Sequence, residues 1–120
     1  MAMHTALPIY KIAYDLLSLA TDLTRNIPRD LKAGLASKVR DECIAILVLI
    51  ARANSTEDKS AHLTELIERN EVIKFLFRIF KDKRFISVSQ HAQAVELTES
   101  ISKQANGWKS FTQNRPPRSR

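Results

Sequence analysis

Three histidines, one cysteine and a pair of glutamates are the residues whose types could do chemistry, and their spacing decides whether they do. His4, His62 and His91 fall in three different segments. A metal site needs convergent ligands, and helical di-metal sites use Glu-x-x-His pairs, which this sequence lacks. Glu65 and Glu68 stand three apart among lysines and arginines, a spacing that a solvated charge network on one helix explains. Cys43 lies in an apolar run and reads as a small core residue rather than a nucleophile. Glycine occurs only at 34 and 107, so no glycine-rich loop can cradle a phosphate. No serine or cysteine has a histidine at a recognisable catalytic spacing. The expectation is a protein that is not an enzyme, with no cofactor and no metal.

The cations carry more information. Lys74, Arg78 and Lys81 stand about one turn apart, and Lys83 and Arg84 follow at once. Arg29, Lys32, Lys38 and Arg40 form a second group, and Arg115, Arg118 and Arg120 a third. Lysine and arginine at such spacing bind phosphates without base preference. The formal net charge of +6 attracts polyanions such as RNA, DNA or anionic lipid; ordinary solubilising charge is the alternative.

These side chains need helices to position them. The chain has 120 residues, the size of one domain, and its 44% hydrophobic and 27% charged residues give a globular balance. Two glycines and four prolines are too few for an all-β chain with many tight turns. Four helical segments are expected, with short connections. The first runs from about Pro8 to Asn26, with Ile9, Ile12, Ala13, Leu16, Leu19, Ala20 and Leu23 on one face. Ile27-Pro28 breaks it, because the residue before proline is pushed out of the helical region. The second runs from Pro28 to about Ala53. Gly34 inside it marks either close approach of another helix or simple tolerance. From Cys43 to Ala51 this helix is apolar almost all round, which implies burial on more than one side and hence a partner chain.

The third helix is expected from about Asp58 to Phe80. Leu66, Ile73, Phe77 and Phe80 make a core stripe, and Val72, Phe75 and Ile79 make a second, more than a lone bundle requires. The expected oligomer interface is therefore Ile46, Ile50, Val72, Phe75 and Ile79. A fourth helix follows Ser87, which with Gln90 forms a capping box. Ala94, Leu97, Thr98, Ile101 and Ala105 line its inner face, and Asn106-Gly107 offers a stop. The reading is all-α, an antiparallel up-down-up-down four-helix bundle over 1–110 that assembles into a ring-shaped homo-oligomer. Residues 111–120 are expected to form a disordered basic tail. A single cysteine excludes an intramolecular disulfide and suits a cytoplasmic location. The longest apolar run is too short to span a membrane.

The order of several short segments is familiar. Leu7-Pro8-Ile9-Tyr10-Lys11 with Tyr14-Asp15-Leu16-Leu17 comes first, then Ile27-Pro28-Arg29 and Gly34-Leu35. Phe80-Lys81-Asp82-Lys83, Ile86-Ser87-Val88-Ser89-Gln90-His91-Ala92 and Gly107-Trp108-Lys109-Ser110 complete the series. Together they resemble the accessory variability determinant (Avd) family of diversity-generating retroelements. The resemblance implies a four-helix bundle forming a homopentameric ring. It implies a partner reverse transcriptase that copies a template RNA into adenine-mutagenised cDNA, with the accessory protein itself non-catalytic. The basic strip and the helix order, rather than any family motif, put polymerase and nucleic acid on Arg29, Lys32, Lys74, Arg78, Lys81, Lys83 and Arg84. The sequence departs where two adjacent glycines are expected before the tryptophan and carries Asn106-Gly107 instead. The Lys32-Ala33 stretch is also less basic than the family pattern implies. Four-helix proteins encoded in intervening sequences of bacterial ribosomal RNA genes share much of the pattern, so an oligomeric scaffold of that kind, without a polymerase partner, is the alternative.

Overall fold

A computed structural model describes residues 3–113, apart from the side chain of Lys32. The described residues form helices joined by short connections, without strands. Helix α1 (Pro8–Leu23) starts on an extended Leu7, and Pro8 occupies the first turn, where its missing N–H is not needed. A 3-10 turn, Thr24–Asn26, ends it. Ile27 is extended and buried, so the chain breaks where the Ile-Pro pair requires.

The expected second helix is divided. A single turn, α2 (Arg29–Leu31), leads into a π-helical stretch, Lys32–Ala36, before α3 (Ser37–Ser55) begins. Gly34 lies in the wider π stretch and has no neighbour within 4 Å of where a Cβ would stand, so no helix approaches it closely. Its reading as a mark of close approach is corrected.

Helix α4 (Ser60–Asp82) begins two residues later than expected, because Lys59 folds back on the preceding helix. Its Nζ donates to the carbonyls of Ala53 at 2.7 Å and Thr56 at 2.6 Å and lies over the Trp108 ring. A cation thus satisfies the C-terminal end of α3. Helix α5 (Val88–Gln113) opens with the expected capping box: Gln90 N–H donates to Ser87 Oγ at 3.0 Å, and Ser87 N–H to Gln90 Oε1 at 2.8 Å. The expected stop at Asn106-Gly107 is corrected. Gly107 keeps helical backbone with no positive φ, and Trp108 packs on the core beyond it, so the helix continues. From residue 114 the expected tail lies outside the described residues.

The long helices pack in a cycle, α1 on α3 and α5, and α4 on α3 and α5, giving a rod of 57 × 22 × 21 Å. Connections 56–59 and 83–87 are short, so the chain reverses at each, and α4 runs beside α3 in the opposite direction. Leu16, Ile46, Ile50, Ile73, Phe77, Phe80 and Ile101 are fully buried between them. Thr24, Glu42, Asn70 and Thr98 are buried polar residues in this interior, and Glu42 and Asn70 join helices through their side chains. Glu42 accepts hydrogen bonds from Arg69 and an ion pair from Lys38, which ties α3 to α4. Asn70 donates to Thr98 O and Ser102 Oγ, both at 2.9 Å, which fixes the register of α4 against α5. Cys43 is buried in the same core. Burial, helped by the Glu42 charge, pushes its thiol up to about 12, far from thiolate chemistry.

Candidate nucleic-acid interface

The turn between α4 and α5 is built by a helix-ending motif that sequence reading did not find. Arg84 takes a left-handed backbone, φ 63°. Its N–H donates to Lys81 O at 2.9 Å, and Phe85 N–H donates to Phe80 O at 2.8 Å. Those two bonds define a Schellman cap, and the Phe80–Phe85 ring contact at 6.4 Å supplies the hydrophobic closure that accompanies it. Glycine is the usual occupant of the left-handed position, because a Cβ there costs about 1–2 kcal/mol. The arginine held in that conformation is exposed, beside exposed Lys83. With arginine instead of glycine at the position, residue types alone do not mark this geometry.

The cations expected to form one basic strip divide into two groups. Lys74 is half-buried and pairs with Glu71 at 2.8 Å and with Glu99 of α5 at 3.1 Å. Burial is the largest single influence on its ammonium and pulls its pKa down. The hydrogen bonds and charges of the two glutamates together outweigh it, and the pKa is raised. Lys74 therefore joins helices rather than presenting free charge.

The other group gathers at the end of α4. Arg78 and Lys81 both approach Asp82, at 3.6 and 3.7 Å, and neither Lys83 nor Arg84 has an ion pair among the described residues. Four cations thus cluster around one carboxylate, which only Arg78 and Lys81 approach. Exposed ion pairs of this length contribute little, so Arg78 remains available to an anion. Arg29, exposed and without an ion pair among the described residues, stands on the separate turn α2. Lys32 lies in the π-helical stretch with its side chain outside what is described.

His91, on the first turns of α5, is the residue that sequence reading set aside. It stands in a groove of about 270 Å³ between α4 and α5, with Phe75, Val95, Arg78 and Lys74. Burial first, then the charges of Lys81 and Arg78, lower its pKa below 6.5, and Asp82 only partly opposes them. The imidazole thus reports the positive potential of the turn. Bound polyphosphate should cancel that potential and raise the His91 pKa, with the lowering by burial remaining. NMR titration of the ring protons with and without single-stranded RNA checks this. An identical titration curve in both would separate His91 from the binding surface. The same depression makes the fold gain stability as pH rises through the interval from the folded pKa to 6.5, since the unfolded chain binds the proton more tightly there.

Of the expected interface residues, Val72, Phe75 and Ile79 are exposed on α4, with Phe75 at 70%. Ile46 and Ile50 are not on an outer face. Both are fully buried in the chain's own core, because helical rotation turns Ile44 and Val48 outward instead. Their assignment to an interface is corrected. Among the described residues no group of histidine, cysteine, aspartate and glutamate could hold a metal ion, and no helix is long and apolar enough to cross a membrane.

A wholly helical domain with a cationic helix-to-helix turn and an exposed apolar strip belongs to the class of small helical proteins. Within that class, the model of the bAvd-like family matches residues 8–112, nearly the whole chain. The chain belongs to this family, the Avd proteins. No curated protein matches it.

Proposed function

We propose that this chain is a non-catalytic accessory subunit of a diversity-generating retroelement, and that it binds the element's reverse transcriptase and nucleic acid during mutagenic reverse transcription. Family membership over residues 8–112 carries this reading. The four long helices are read as an up-down-up-down four-helix bundle, which assembles as a pentameric ring and works in the cytoplasm. The cationic turn of Arg78, Lys81, Lys83 and Arg84 supports the nucleic-acid part, with Arg29 as an outlying contact. Lys74 contributes by holding α5 against α4.

A ring would repeat the turn once per copy, and multivalent contact raises effective concentration without any new contact type. The direct test is fluorescence anisotropy with single-stranded RNA. Four phosphate contacts per copy predict an affinity loss of roughly 50-fold between 50 and 200 mM salt, from about 0.7 counterion released per contact on a single strand. A salt-independent affinity would remove the nucleic-acid role. The second reading is an oligomeric scaffold, or an intervening-sequence-type protein without a polymerase partner. The carboxylate pairing of Lys74, Arg78 and Lys81 favours it, since paired cations serve structure as readily as binding.

A further inference from the structure

Charge is distributed unevenly along the rod. Because α4 runs opposite to α3, the end of α1, the start of α3 and the turn between α4 and α5 all lie at one end. Residues 22–42 and 78–95 make up that end. They hold nine of the sixteen lysines and arginines of residues 3–113, against five of the thirteen acids. The turn displays four of these cations on the α4–α5 side. On the opposite side, between α1 and α3, a cavity of about 180 Å³ is lined by Thr21, Thr24, Arg25, Ala36 and Arg40. Arg40 is half-buried and has no ion pair among the described residues; its guanidinium donates to Ser37 Oγ at a long 3.4 Å. Arg25 meets Asp22 at 3.4 Å, both mostly in solvent. The threonine hydroxyls are turned to the backbone: Thr21 Oγ1 donates to Leu17 O at 2.9 Å, and Thr24 Oγ1 to Thr21 O at 3.3 Å. Among the side chains, the donors left for a ligand are the two guanidinium groups.

We propose that this cavity is a phosphate site, in which Arg25 and Arg40 hold one phosphodiester group of a single strand that crosses the end of the rod from the α4–α5 turn. Guanidinium N–H groups withdrawn from water are costly unless an acceptor meets them. A carboxylate offers one pair of oxygens, enough for one guanidinium fork. A tetrahedral phosphate offers oxygens in several directions and can meet two forks at once. The size also fits: a water's share of the liquid is about 30 Å³, so 180 Å³ takes a phosphate group and little more. Asp22 must leave Arg25 as the phosphate enters. Its ion pair is exposed and long, so it yields at little cost.

The span suits a strand. The rod is 22 Å across, and a stacked strand advancing about 3.4 Å per nucleotide crosses that width in roughly six or seven nucleotides. A decamer is thus long enough to reach both the turn and the cavity. The cavity adds one phosphate contact to those of the turn and should steepen the salt slope by about 0.7. The strand rests on the nucleic-acid reading of the preceding section; the phosphate chemistry of the cavity does not.

The experiment is fluorescence anisotropy of the full chain with a single-stranded RNA decamer across a salt series. Calorimetry with inorganic phosphate runs beside it, and far-UV circular dichroism is the folding control. Arg25→Gln and Arg40→Gln should each weaken decamer binding about five- to tenfold and flatten the salt slope by about 0.7. Asp22→Asn should tighten binding about two- to threefold, because it removes the competing carboxylate. Arg25 and Asp22 are exposed, so these two variants keep the test open if Arg40→Gln loosens the fold. Weaker binding by Asp22→Asn would overturn the role given to Arg25. Wild-type decamer affinity in both arginine variants would overturn the strand crossing. The phosphate arm then decides the cavity: inorganic phosphate that binds the wild type and neither arginine variant assigns it to the free ion, and any other result removes the site. A wild-type chain that binds no RNA would sink the nucleic-acid reading itself, and the same phosphate arm would support or remove the cavity as a phosphate site.

Discussion

Lys83→Glu with Arg84→Glu is expected to weaken single-stranded RNA binding by roughly 10- to 100-fold near physiological salt, with a salt slope shallower by about one for each cation that met a phosphate. The pair is chosen because neither residue has an ion pair among the described residues. Their reversal leaves the interior untouched. Reversal of Lys74 would be a poorer probe, since it breaks the bridges to Glu71 and Glu99 and loosens α5. Arg84→Gly separates charge from backbone. It should lose affinity modestly and yet stabilise the fold by about 1 kcal/mol, because glycine takes the left-handed position without a Cβ clash. Anisotropy across a salt series and urea denaturation check both halves. Wild-type affinity in the double variant would detach the turn from nucleic acid.

Phe80→Ala should have the largest effect on stability, a loss of about 3–5 kcal/mol. Phe80 is fully buried, packs edge-on against Phe77 at 5.9 Å, and closes the Schellman cap through Phe85. The same side chain therefore fills the core and fixes the turn that displays Lys83 and Arg84. A typical domain is stable by only about 5–15 kcal/mol, so the loss is a large share of the total. Phe75→Ala is the contrast: at 70% exposure its ring is mostly in solvent, and removing it should change the stability of the isolated chain by less than about 0.5 kcal/mol. Urea midpoints give both values. Equal losses at the two positions would mean that Phe75, too, is structural.

Much of the helical framework was legible because local chemistry and tertiary packing agree. Pro8, Ile27-Pro28 and the Ser87–Gln90 box mark boundaries through the backbone alone, and they fall where expected. The failures have physical causes. Gly107 was read as a stop, yet Trp108 and Lys59 give the helix reason to continue past it. Gly34 gave no sign of a π-helical stretch, which sequence periodicity does not distinguish from an α-helix. In the candidate site, the cations could be read from the sequence but their partners could not. Glu99 lies on another helix, and only folding brings it to Lys74. Arg84 shows the same limit from the backbone side: a cap usually announced by glycine is built here around arginine. The apolar run of α3 implies burial on more than one side; in the single chain Ile46 and Ile50 face the core while Ile44 and Val48 face outward, a difference of helical rotation that composition does not reveal.

The most direct measurement of the central claim is a pull-down of the full chain co-expressed with the reverse transcriptase encoded beside it, after nuclease treatment and a high-salt wash. The retroelement reading predicts that the polymerase stays bound, held by a protein–protein contact that needs no nucleic acid. Complete loss of the polymerase under those conditions, with the chain still folded, would contradict that reading and leave a basic helical protein whose associations run through RNA.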